Sequence, residues 1–239
     1  MTPSNINKRH RVLIGTPHSD KKNYCIDDYI KRIKGFTYEY FDVLIVDNSE
    51  SRKNVKRLRK AGFNVIHVKP KNHSIQHILA ESHEAIRKYA VANKYEYLFH
   101  LESDIIPPAD VIERLMIHNV PIASGMYMIN FGSDSHLMSQ KIESFGDIRE
   151  TINADNGSDL LFVDGTLKKT FHCGLGCVLI HKNVLNKFQF RSEKGTPIFP
   201  DGYFAFDIDG LGIPKYMDTS ILCQHNNSEW VYFTNDIAT

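Results

Sequence analysis

The sequence predicts an α/β fold: a mainly parallel central sheet flanked by helices, with a smaller C-terminal region. Three observations carry this. Up to residue 101, short apolar runs alternate with stretches of helical period. Gly, Pro, Asn and Ser punctuate the joins. The 239 residues, 42% hydrophobic and 24% charged, suffice for one sizeable core.

The elements follow in order. Residues 11–17 form an apolar run closed by Gly15 and Pro17, a first buried strand. Residues 24–34 place Ile26, Tyr29, Ile30 and Ile33 on one helical stripe. Residues 41–47 read as a second strand, and Asn48-Ser49 as the cap of a helix over 50–61 that Gly62 closes. A third strand at 63–68, a long helix at 74–93 and a fourth strand at 95–101 complete the alternation. Right-handed crossovers then make these strands parallel. Beyond Pro107-Pro108 a short helix spans 109–118 and a strand 121–130. The polar, turn-rich stretch 131–169 reads as a loop, a small hairpin lobe, or both. Strands at 171–181 and 215–224 flank a short helix near 204–211. The reading is one domain over 1–239, in two halves at 11–104 and 105–239.

Composition excludes several classes. No apolar run approaches the ~20 residues that cross a bilayer. The N-terminus has no apolar signal region, and four cysteines do not make a disulfide scaffold, so a cytoplasmic location is expected. The net charge of +1 conceals an asymmetry: residues 1–94 carry 19 Lys and Arg against 9 Asp and Glu, and residues 95–239 carry 10 against 19. The basic half suits phosphates and the acidic half a metal or a base, or both are solvated faces. The basic run Arg52, Lys53, Lys56, Arg57, Arg59, Lys60 reads as a solvated helix face or a nucleic-acid footprint.

In a parallel sheet ligands sit beyond the carboxyl ends of the strands. That singles out Thr16-Pro17-His18, Asp47-Asn48-Ser49, Lys69 to Asn72 and Glu102-Ser103-Asp104. Carboxylates at i and i+2 project to one side of an extended chain, and hard divalent cations take such oxygens together with those of a diphosphate. A turn or capping role for Asp104 is the plainer alternative. His225 after an apolar strand is a ligand or a structural residue. Gly174 and Gly176 permit either a bulge or the close approach of a ligand. Cys173 and Cys177, about 13 Å apart on an extended strand, are too far apart to share a zinc ion and read as small buried residues. Trp230 reads as a stacking lid or as an anchor for the tail.

Taken in order, these segments resemble GT-A-fold glycosyltransferases of the family 2 type. Glu102-Ser103-Asp104 resembles the D-x-D metal motif, followed by Ile105-Ile106-Pro107-Pro108. Asp47-Asn48-Ser49 resembles the turn that holds the donor's nucleoside. Residues 121–127 resemble a strand of small members, and 172–180 the glycine-rich segment beside the donor sugar. Residues 203–207 resemble the segment carrying the general base, and 217–225 the closing strand that ends in a metal-binding His. Glu102 and Phe206 depart from the usual Asp and Glu, and a Q-x-x-R-W segment is missing. Asp209 therefore stands as a second position for the base.

The resemblance implies a nucleotide-binding half at 11–104, an acceptor and catalytic half at 105–239, a nucleotide-diphosphate-sugar donor, a hydroxyl acceptor and Mn²⁺ or Mg²⁺. Asp104 and His225 would hold the metal, and Asp207 would act as the base of an inverting displacement. Donor contacts would come from Thr16, Pro17, Asp47, Ser49, Asn72, Glu102, Ser103, Gly174 and Gly176. The acceptor would be a glycan, a glycolipid, a protein or a hydroxymethylated base in DNA. Retention, with Asp207 orienting the sugar, is the alternative mechanism. A nucleotidyltransferase making nucleotide sugars and a non-catalytic sugar-nucleotide-binding module are the alternative functions. Gly15-Thr16-Pro17-His18 makes a poor phosphate loop for the former.

Overall fold

The computed structural model describes residues 10–69, 74–131, 134–142, 149–153 and 162–226. The N-terminal alternation is present: β1 (Val12–His18), α1 (Ile26–Lys34), β2 (Phe41–Asp47), α2 (Lys53–Lys60), β3 (Asn64–His67), α3 (Ile75–Ala92) and β4 (Tyr97–Leu101). The strands lie in the order β3-β2-β1-β4, all parallel. Every residue of β1 and β4 is buried, as expected for strands covered on both faces.

The chain continues through β5 (Ile105–Ile106), α4 (Val111–Met116), β6 (Ile122–Met126), β7 (Met128–Phe131), β8 (Asp134–Ile142), β9 (Arg149–Asn153), β10 (Leu167–His172), β11 (Cys177–His181), α5 (Lys182–Leu185), α6 (Pro200–Gly210), β12 (Lys215–Leu222) and β13 (Gln224–His225). The sheet extends past β4 as β11-β6-β12-β10-β8-β7, with β9 also on β8. From β3 to β10, six of eight strands point one way; β11 and β10 run against them. Described parts of 131–169 thus form hairpins that widen the sheet.

Two predicted strands divide. The run 171–181 breaks at Gly174, whose φ of 63° is a left-handed conformation. Leading out of that turn, β11 inserts between β4 and β6, whereas β10 pairs with β12 and β8. The run 215–224 breaks at Cys223, whose N–H bonds Met126 O, and β13 leaves the main sheet to pair with β5.

Alternation along the strands sorts the core between the two faces. Val12, Ile14, Ile45 and Phe99 meet Ile26, Tyr29, Ile33, Val55 and Leu58 of α1 and α2, and Val111, Ile112 and Leu115 of α4. Leu13, Leu44, Val46 and Leu98 meet Ile86 and Ala90 of α3, with Phe204 and Ile208 of α6 beyond. Gly15 sets the spacing, because a Cβ there would collide with Ile86 Cγ2. Ser74 caps α3 by accepting from the His77 N–H. Asn48 and Ser49 do not cap α2, which starts at Lys53 without a side-chain cap; Asn48 donates to Ser82 Oγ at 3.1 Å, and Ser49 is used in the site below.

Candidate active site

The sheet order reverses between β1 and β4, and the residues ending these strands meet there. Ser103 Oγ and His18 Nδ1 are 3.1 Å apart, and His18 Nε2 is 3.5 Å from Asn54 Nδ2. Asn54 donates to Ser49 Oγ at 3.2 Å, and Ser49 donates to Asp47 Oδ1 at 2.6 Å. The other Asp47 oxygen lies 2.9 Å from His67 Nδ1. This buried relay crosses the ends of β4, β1, β2 and β3. It gives Asp47, Ser49 and Ser103 partners within the protein. Burial pushes the His18 imidazole below its ordinary pKa. Thr16 is also buried, its hydroxyl bonded to that of Tyr29, and Pro17 is buried beside it. Asn72, Pro70, Lys71 and Trp230 lie outside the described residues.

The acidic motif turns inward. Asp104 is buried, and Oδ2 lies 3.3 Å from His225 Nε2. The pairing of β13 with β5 delivers that histidine, and the Asn226 N–H to Asp104 O bond of 2.7 Å secures the join. His225 Nδ1 lies 2.7 Å from Met128 O, which fixes the proton on Nδ1 and leaves Nε2 toward Asp104. Burial opposes the Asp104 charge, but His225 and Lys22 outweigh it and hold the carboxyl at about 2. Burial likewise opposes protonation of His225, and the bond to Asp104 outweighs it, raising the imidazole above 6.5.

Lys22, at the end of a single 3-10 turn (Asp20–Lys22) after β1, was not anticipated. Its ammonium contacts Asp104 Oδ2 and lies 3.7 Å from Glu102. Burial opposes its charge, but the two carboxylates raise its pKa. Burial in turn pushes the half-buried Glu102 carboxyl up, against the pull of Lys22.

The donor set suits a divalent cation in part. Asp104 Oδ1 is buried with no hydrogen-bond partner among the described residues, and His225 presents Nε2 beside it. Among the described residues no three His, Cys, Asp or Glu side chains converge on one point. Asp104 and His225 could therefore hold a cation only together with further oxygens, such as those of a ligand. Cys173 and Cys177 are both buried thiols, as expected.

Gly174 and Gly176 face the protein. A Cβ on Gly176 would come within 2.6 Å of the Tyr127 ring, one on Gly174 would strike its hydroxyl, and the Gly176 N–H donates to that hydroxyl at 3.0 Å. Their close approach is to buried Tyr127, whose ring stands edge-on to His225 at 5.8 Å.

Next to this centre lies a small, partly open cavity lined by Leu79, His83, Glu102, Leu175, Phe199, Pro200 and Asp201. Asp201 sits in the first turn of α6, accepts from the Gly202 N–H at 2.9 Å and lies 3.3 Å from His172 Nε2. Burial opposes its charge, but His172 outweighs it and the carboxyl falls below its ordinary value. Asp207 does not line the cavity. Both its oxygens accept from Arg191, at 2.8 and 2.9 Å. It lies about 9 Å along α6 from Asp201. The helix starts at Pro200, four residues before the predicted start, and Pro followed by Asp was the available signal. Nothing local marked Lys22, and His83 falls on the buried stripe of α3, where it reads as core.

No protein-family model matches the chain, and no curated protein matches it by sequence. Solved structures do. The fold is that of GT-A-type glycosyltransferases. It is similar to the mannosyltransferase PcManGT from Pyrobaculum calidifontis, solved in complex with GDP-Man and Mn²⁺, with a TM-score of 0.56 and 13% identity over 91% of this chain. The chain spans 57% of that protein. It is also similar to A197 from STIV, with a TM-score of 0.51 and 16% identity over 92% of this chain and 87% of that one. The likeness is one of fold and does not single out family 2. No helix among the described residues is long and apolar enough to cross a membrane.

Proposed function

We propose that the protein is a metal-dependent glycosyltransferase that moves a sugar from a nucleotide-diphosphate sugar to a hydroxyl acceptor. The observation that carries this is the meeting of Asp104 and His225, 121 positions apart in the chain, beside a carboxylate-lined cavity at the sheet's switch point. Asp104 and His225 would hold Mn²⁺ or Mg²⁺, which neutralises charge that develops on a departing diphosphate. Lys22 yields its place between the carboxylates and turns to the diphosphate as a fixed positive charge. Thr16, Pro17, Asp47, Ser49 and Ser103 belong to the rigid floor under the nucleoside, and Glu102 reaches the sugar.

The base is Asp201 in this reading, in place of Asp207. Asp201 lines the cavity and is ionised, so it can take the acceptor's hydroxyl proton as that oxygen attacks the anomeric carbon. Attack on the face opposite the departing diphosphate inverts the anomeric configuration. Asp207, clamped by Arg191, holds the segment before α6. The test is a panel of nucleotide-diphosphate sugars with simple sugar and alcohol acceptors, with and without Mn²⁺. Release of nucleotide diphosphate that requires the cation supports the reading. Binding without release or transfer favours a non-catalytic module.

A further inference from the structure

Two histidines beside the cavity stand outside the scheme above. His83 on α3 and His100 on β4 are buried, with His83 Nδ1 2.8 Å from His100 Nε2. Phe190 packs against both rings, at centroid distances of 5.3 and 5.7 Å. It is pinned there by its N–H to Glu84 Oε2 at 3.0 Å, and Glu84 is gripped in turn by Arg87. Both imidazoles are neutral: burial drives His83 down to about 4 and His100 well below its ordinary value.

One proton lies between the two rings, and its owner follows from the far side of His100. His100 Nδ1 is buried with no hydrogen-bond partner among the described residues. A bare lone pair there costs less than an orphaned N–H. His100 therefore carries its proton on Nε2 and donates to His83 Nδ1. A neutral His83 must then carry its own proton on Nε2, the nitrogen not used in the pair. His83 lines the cavity, and no hydrogen bond within the described residues reaches that nitrogen.

We propose that His83 Nε2–H donates a hydrogen bond to a hydroxyl oxygen of the donor sugar, with His100 as the positioning residue that fixes this tautomer; the proposal rests on the glycosyltransferase reading. The surroundings select the ligand chemistry. Ionised Asp201 lines the same cavity beside Glu102, so a phosphate there meets a like charge and is repelled. An uncharged hydroxyl fits, because it can accept from His83 while donating to a carboxylate. Leu79, Leu175, Phe199 and Pro200 offer apolar walls to the C–H face of a sugar ring.

The experiment has two arms on the full chain. Long-range ¹H–¹⁵N NMR of the imidazoles reads the tautomer directly: His83 is expected protonated on Nε2 alone, and His100→Phe should mix its tautomers. A proton on His83 Nδ1 in the wild type overturns the lock. Calorimetry then compares UDP- and GDP-hexoses with bare UDP and GDP, in Mn²⁺. His83→Leu should weaken the nucleotide-sugar that binds wild type by about tenfold and leave the bare diphosphate unchanged. His83→Gln, which keeps an N–H donor, should recover most of the loss. Equal weakening of both ligands, or of neither, overturns the sugar contact. If no nucleotide or nucleotide-sugar binds the wild type, the glycosyltransferase reading fails and takes the sugar contact with it, whereas the NMR result still decides the tautomer.

Discussion

Asp104 and His225 stand 121 positions apart in the chain and 3.3 Å apart in space, Oδ2 to Nε2. The fold makes this pair by closing its last described strand on the two-residue strand that follows the acidic motif. Asp104→Asn should keep that strand pairing, since the backbone bonds to residues 104 and 105 remain. It should abolish cation-dependent release of nucleotide diphosphate, because the buried unpartnered oxygen loses its charge. Full release by the Asn variant in the presence of chelator sinks the metal assignment.

The two carboxylates of α6 are separable by mutation. Asp201→Asn should reduce transfer by about 10² or more, the usual scale of general-base catalysis. Asp207→Asn should leave the rate within a few-fold. It loosens an exposed ion pair with Arg191, worth about 1 kcal/mol or less. Steady-state rates and urea midpoints of the two variants decide it. A dead Asp207→Asn enzyme beside an active Asp201→Asn enzyme reverses the assignment.

The pH dependence follows from the sign of the Asp201 shift. Its carboxyl lies below the ordinary 3.8, with His172 outweighing burial. The ionised form is the base, so this group imposes no acid limb between about pH 5 and 8. The stability it contributes is complete above the unfolded pKa and is lost as pH falls through the lower folded value. His172→Ala removes the largest support for the charge and should move any acid limb to higher pH. An acid limb already near neutrality in the wild type, unmoved in His172→Ala, excludes Asp201 as the titrating base.

Packing at Gly15 gives a test independent of catalysis. Gly15→Ala puts a methyl group into Ile86 Cγ2, which is fully buried on α3. The expected cost is about 1–3 kcal/mol in urea unfolding. Ile86→Ala in the same chain should restore part of it. Strictly additive losses in the double variant contradict the contact.

The N-terminal half was legible in the sequence because strands buried on both faces are written as plain apolar runs. Leu13, Ile14, Leu44 and Ile45 need no partner to be recognised. Farther on, the apolar run at 171–181 conceals a turn: Gly174 reverses the chain inside it, and neighbouring strands come from distant segments. Of the candidate site, Asp104 and His225 were singled out because each follows an apolar run in the sequence. Lys22 could not, since its carboxylate partners lie about eighty residues away and nothing in Asp20-Lys21-Lys22 points to them. His83 was hidden by its own periodicity. Asp201 was missed by placing the helix start too late.

Lys22 between Glu102 and Asp104 has a consequence for how the molecule comes into being. Folding forces two acidic side chains together at a strand end, and unrelieved repulsion there would oppose the closing of β4 against its neighbours. The ammonium supplies a counter-charge from within the chain, so maturation of the polypeptide need not await an ion from the medium. On the proposed reading, acquiring the cation would be a late event, an exchange in which a divalent ion displaces the ammonium from Asp104. A newly made chain in ion-poor surroundings would then be a finished protein waiting to be loaded.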